Sequence, residues 1–111
     1  MITEVTGYFT LGAGVPDLLT FVGWHFEDPS ELAEITHNIP GIIVLAHIDK
    51  GKEVTASDAF EIQMVSQSEN VHTRLCNMAK TQDKVNLVLI RQVDNPIERN
   101  ELFYGIRNKY L

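Results

Sequence analysis

Gly41-Ile42-Ile43-Val44-Leu45-Ala46-His47-Ile48 is the stretch on which the fold turns. It is rich in β-branched side chains, which pack well on a pleated surface and lose freedom in a helix. Apolar residues occupy successive positions instead of alternating, so both faces of the strand want cover. Pro40 precedes it. Asp49-Lys50-Gly51 follows and reads as a tight hairpin turn. A second stretch of the same kind, Leu87-Val88-Leu89-Ile90, lies within a strand expected over residues 85–93. The two are expected to sit side by side in the middle of one sheet, shielded from water on each side.

The remaining elements follow from these two. Beyond the hairpin, residues 52–65 are expected to return as a strand. Phe60, Ile62 and Met64 alternate there with Glu61 and Gln63, and Ser57-Asp58 reads as a bulge or a break. Near the N-terminus, residues 3–11 alternate. Val5, Gly7, Phe9 and Leu11 share one face, with Thr6, Tyr8 and Thr10 on the other, as in a half-buried strand. Gly12-Ala13-Gly14 ends it. Pro16 near a first helical position predicts a short helix over residues 16–26, although the density of apolar residues and Gly23 leave a second strand as the alternative.

Three helix starts carry a chemical signature. Asp28-Pro29-Ser30-Glu31 has a capping acceptor, a proline that presets φ, and a glutamate at the reciprocal position, and the spacing predicts a helix to His37. Leu32 and Ile35 point inward, and Asn38 and Pro40 end it. Ser66-Gln67-Ser68-Glu69 matches the same box ahead of a helix over 70–82, with Val71, Leu75 and Met78 on one stripe. Asn95-Pro96-Ile97-Glu98 opens a final helix whose inner stripe is Leu102, Phe103, Ile106 and Tyr110.

The order β-α-β-β-α-β-α is that of an α+β, ferredoxin-like βαββαβ sandwich with an extra C-terminal helix, in one domain over residues 1–111. Two strands apolar on both faces are too many for a sheet with one wet side. Either the last helix or a second subunit must cover the other face, and self-association is the expectation drawn from this.

Composition bounds the function. Of 111 residues, 44% are hydrophobic and 22% charged, which is ordinary for a globular domain. The single cysteine excludes an internal disulfide and a Cys-rich zinc site. A net charge of −6 argues against direct grip on a nucleic-acid backbone. No basic-aromatic motif for that purpose occurs. The N-terminus lacks the features of a secretory signal, and the longest apolar run is about half of the ~20 residues that cross a membrane. The expected setting is the cytoplasm, in a cellular or a viral context.

Charge is unevenly spread. Residues 1–49 hold seven acids and no Lys or Arg, giving −7, while residues 50–111 hold nine bases and eight acids, giving +1. Glu27, Asp28, Glu31 and Glu34 gather around one helix start, where dipole complementarity accounts for part of the acidity. As a ridge they would suit a basic-surfaced protein partner.

Chemistry is thin. His47 and Asp49 share a strand face, so the carboxylate could orient the imidazole as a general base near a pocket that includes Tyr8, yet no nucleophile is tied to them. Gly12-Ala13-Gly14-Val15-Pro16-Asp17 departs from the dinucleotide fingerprint, because Asp17 stands where the third glycine belongs. His25-Phe26-Glu27 echoes a zinc deaminase motif but lacks its cysteine pair. His25, His37, His47 and His72 show no metal-ligand spacing, and Cys76 reads as core packing. Neither a metal nor a cofactor is expected. The leading expectation is a non-catalytic binding or regulatory protein acting through protein–protein contacts with itself or another chain. A small acidic inhibitor of phage type, blocking a basic groove of a nucleic-acid-handling protein, is the second. A small-molecule enzyme around His47 and Asp49 is the third.

Overall fold

The two apolar stretches pair with each other. Gly41–Ile48 and Leu87–Gln92 are antiparallel neighbours, with Ile43 opposite Ile90, Val44 opposite Leu89 and Leu45 opposite Val88. The computed structural model describes residues 3–9, 19–49, 60–78 and 85–111, and for 3–9 and 19–20 it fixes the backbone and its pairing. The described strands are β1 (Thr3–Phe9), β2 (Leu19–His25), β3 (Gly41–Ile48), β4 (Phe60–Ser68) and β5 (Leu87–Gln92). A 3-10 helix spans Pro29–Glu34, and two α-helices follow, α1 (Val71–Met78) and α2 (Pro96–Tyr110). The strands form one sheet in the order β1-β2-β5-β3-β4, with every neighbouring pair antiparallel.

This architecture is α+β, but the ferredoxin-like order does not hold. A split βαβ unit needs a helix after the first strand and a parallel pair across the sheet. Here residues 19–25 form β2, which pairs with β1 over seven positions and with β5 on its other edge. Thr20, Phe21, Val22 and Trp24 favour a pleated surface, and Gly23 costs about 1 kcal/mol in a helix interior. Those preferences outweigh the proline signal at residue 16, and the strand alternative is the one found. The glycine-rich turn at 12–17, the hairpin residues 50–51, the Ser57-Asp58 break and the end of the helix expected to residue 82 lie outside the described residues.

Each face of the sheet has its own core. On one, Phe21, Ile42, Val44, Ala46, Ile48, Phe60, Ile62, Val65, Leu87 and Leu89 meet Ile106 of α2, with Leu102, Phe103 and Tyr110 partly buried against them. On the other, Trp24, Phe26, Ile43, Leu45, Val88 and Ile90 meet Leu32 and Ile35 beside the 3-10 helix and Val71, Leu75 and Met78 of α1. The expected stripes of the last two helices are thus the ones used. Over β3, β4 and β5 both faces are buried by elements of the same chain, so those strands do not argue for a second subunit, while Val22 on β2 stays 41% exposed.

Residue 63 changes which way β4 faces. Leu45 opposes Met64, but Ala46 opposes Ile62, so one residue of β4 is extra at that point. Phe60 and Ile62 therefore look toward α2, while Met64 turns to the opposite core and Val65 takes its place. The simple alternation expected for Phe60, Ile62 and Met64 stops at this irregularity.

Candidate functional site

The acidic group is anchored by local hydrogen bonds. Asp28 Oδ1 accepts from Ser30 N–H at 3.0 Å, and Glu31 Oε1 accepts from Asp28 N–H at 3.2 Å, which completes the expected capping box. The hydrogen bond from the Ser30 backbone holds the Asp28 carboxyl below its ordinary value of 3.8, with a further contribution from the Ser30 side chain. The helix that follows is a six-residue 3-10 helix ending at Glu34, not an α-helix running to His37. The reason lies in the next residues. Their carbonyls serve α1: His37 O accepts from His72 N–H, and Ile39 O accepts from Val71 N–H. Ile39 also precedes Pro40, which disfavours helical backbone. Glu27, Asp28 and Glu34 stand exposed, and Glu31 is half-buried. With three residues per turn, Glu31 and Glu34 stack on one side, while Glu27 lies before the helix. The four-then-three spacing of an α-helical ridge is therefore not made.

His47 and Asp49 do meet. Nε2 of His47 lies 3.4 Å from Oδ1 of Asp49, and the side chains are 46% and 80% exposed. Glu61 of β4 is directly opposite His47 and also exposed. In water a carboxylate this open polarises an imidazole weakly. The backbone of Tyr8 pairs with Thr20 at the far side of the sheet, beyond β2 and β5.

The end of β3 is instead held by Asn86. Its side-chain amide donates to Ile48 O at 2.8 Å and its side-chain carbonyl accepts from Ile48 N–H at 2.9 Å. Its backbone N–H reaches Ala46 O, and its backbone carbonyl receives Phe26 N–H. One residue thus extends the β5–β3 ladder by side chain and main chain together.

α1 carries a pair that the sequence left apart. Nδ1 of His72 lies 2.8 Å from Ile35 O. A carbonyl can only accept, so Nδ1 bears a proton, and in the neutral ring Nε2 is then the nitrogen with the lone pair. That nitrogen lies 3.7 Å from Cys76 Sγ, one helical turn on, in position to receive the thiol hydrogen. Cys76 is partly exposed, not core packing. Its four-residue spacing from His72 on an expected helix was the available signal. The orienting carbonyl comes from a distant segment, which sequence spacing does not show. Asn70, not Ser66, caps this helix: its Oδ1 accepts from Thr73 N–H at 3.1 Å, and Ser68 continues β4.

His25 lies on β2, and His37 meets His72 through its backbone carbonyl while its ring packs edge-on against Trp24 with centroids 5.0 Å apart. Among the described residues, no group of three His, Cys, Asp or Glu side chains is arranged to hold a metal ion. No helix there is long and apolar enough to cross a membrane. Compared with family models, curated proteins and solved structures, the chain matches none.

Proposed function

We propose that this is a non-catalytic binding protein that acts through protein–protein contact, with the outer face of α2 as its contact surface and a second copy as the occupant. The supporting observation is a line of apolar side chains. Ile97 is 71% exposed, Tyr104 47% and Leu111 58%. They are seven residues apart, and seven residues advance an α-helix by nearly two full turns, so all three lie along one side. Scattered exposed apolar residues mean little, but an aligned set is how a helix face docks. The acidic group around Glu27 and Glu34 supports a basic-surfaced partner less well, because Asp28 and Glu31 already serve the capping box. A reducing, cytoplasmic setting accords with the free Cys76.

Sedimentation velocity across micromolar to high-micromolar concentrations tests the reading. The expected result is a dimer that Tyr104→Asp dissociates while the variant stays folded, its melting temperature falling only to that of the dilute, monomeric wild type, since that ring is half exposed. A clean monomer throughout the range, or a dimer indifferent to Tyr104→Asp, overturns it.

A further inference from the structure

We infer that Cys76 is a nucleophilic thiol with His72 as its base, and that it is a site of covalent capture for small disulfides.

The argument begins with direction. A histidine beside a cysteine is useful as a base only if the facing nitrogen is unprotonated. Here Ile35 O fixes the proton on Nδ1, 2.8 Å away, and leaves Nε2 to face Sγ. The three parts of an activated nucleophile are present: thiol, base and a group that orients the base. The orienting group is backbone, and its segment is held independently. His37 O and Ile39 O accept from the first amides of α1. The Ile35 carbonyl is therefore held in place by bonds that do not involve the imidazole, and turning the ring away costs its bond to that carbonyl.

Accessibility and count complete the case. Cys76 is partly exposed to solvent. The chain has one cysteine, so no second thiol of its own can displace an adduct.

The step balances as follows. Nε2 of His72 takes the proton from Sγ. The thiolate electron pair attacks one sulfur of a small disulfide, forming a new S–S bond as the old one breaks. The leaving thiolate takes the proton from the imidazolium and departs as a thiol. Cys76 is oxidised to a mixed disulfide, and the reagent is reduced by the same two electrons.

Oxidised glutathione is a suitable probe, with intact-protein mass spectrometry reading the rate of adduct formation at neutral pH. The test compares the native protein with the same chain unfolded in urea. Partial burial alone makes the native thiol slower. Activation by His72 makes it faster, by about 10-fold, because an ordinary thiol is mostly protonated at neutral pH. A native rate equal to or below the unfolded rate overturns the inference. His72→Gln retains an N–H able to reach the Ile35 carbonyl but offers no base. The expected rate falls to that of the unfolded chain or below, with the melting temperature little changed. A folded His72→Gln that reacts as fast as wild type also overturns it. If that variant does not fold, the native-to-unfolded ratio of the wild type decides alone.

Discussion

On one face of the sheet, the fifteen-residue helix α2 lies over β3 and β4 and buries Ile106 among their side chains. On the other, a six-residue 3-10 helix and the eight-residue α1 share the work. The long helix is held by its apolar stripe, by its cap at Asn95, which accepts from the N–H groups of Ile97 and Glu98, and by one long-range side-chain bond, from Gln67 of β4 to Asn100 Oδ1. The short pair is tied by polar links between segments far apart in sequence. Asn70 donates to Asn38 Oδ1, His72 bonds to Ile35 O, and two main-chain bonds join residues 37 and 39 to α1. An eight-residue helix has little stability of its own, so its position must come from such ties. The face built from short elements is therefore the more specified one, and it is also where the thiol and imidazole are brought together.

The largest expected effect separates the two faces directly. Leu75 of α1 and Ile106 of α2 are both fully buried. Truncating such a side chain to alanine costs about 2–5 kcal/mol, less where the surroundings can collapse into the space. α1 has more long-range ties than α2 and should shift less, so Leu75→Ala should fall toward the upper end. α2 packs with Leu102, Phe103 and Tyr110 only partly buried and can settle inward, so Ile106→Ala should fall toward the lower end. Denaturant midpoints of the two variants decide it. Equal losses would remove the asymmetry.

Asn86 provides a reference that belongs to neither face. Asn86→Ala leaves the N–H and C=O of Ile48 without the side chain that pairs both. The expected loss is about 1–3 kcal/mol, with the end of β3 exchanging its amide protons faster. A loss confined to one face, seen as faster exchange in α1 alone or α2 alone, would show that the sheet is not a common platform.

How far the sequence carried this picture differs between the same regions. The core strands were legible because Ile42, Ile43, Val44 and Leu45 leave no polar face for water. The stripe of α2 and its Asn95 cap were legible because both are local. β2 was misjudged because Pro16-Asp17 imitates a helix start, whereas the pairing that makes residues 19–25 a strand is with β1 and β5. The 3-10 helix stops early for a reason stored some 35 residues away, in the amides of Val71 and His72. Gly41 is similar: a side chain there would strike the carbonyl of Arg91 on β5, whose carbon would lie 3.2 Å from the added atom. Of the candidate site, the capping role of Asp28 and Glu31 was local and visible. The His72–Cys76 pair was visible as spacing only, since the carbonyl that directs the imidazole belongs to Ile35.

The helix caps offer a smaller test of the same contrast. Asn95→Ala removes the acceptor for two amides at the start of α2, and Asn70→Ala removes the acceptor for Thr73 N–H together with the donor to Asn38. Losing an asparagine cap costs about 1 kcal/mol. Asn70→Ala should exceed Asn95→Ala, because it also loosens the segment that α1 is tied to. Thermal unfolding of the two single variants and their double ranks them, and additive losses are expected for sites this independent.

The smallest effect is one of pH, and it belongs to one face alone. Asp28 caps the 3-10 helix as a carboxylate, whereas Asn95 caps α2 as a neutral amide. Folding holds the Asp28 carboxyl below 3.8, chiefly through the Ser30 amide, so the unfolded chain takes up this proton first as the medium is acidified. The charged cap therefore adds stability above the unfolded value, and that stability is lost as the pH falls through the folded one. Asp28→Asn keeps an acceptor for Ser30 N–H and removes the charge. At neutral pH the wild type should be slightly the more stable, and the two urea midpoints should converge as the pH drops below 3.8. The matching change on the other face, Asn95→Asp, should show the opposite starting point: an added charge at the N-terminus of α2 that helps at neutral pH and ceases to help in acid. A gap between Asp28→Asn and wild type that stays constant through the acid range would mean that the carboxylate contributes shape and not charge, and that the two faces are capped alike.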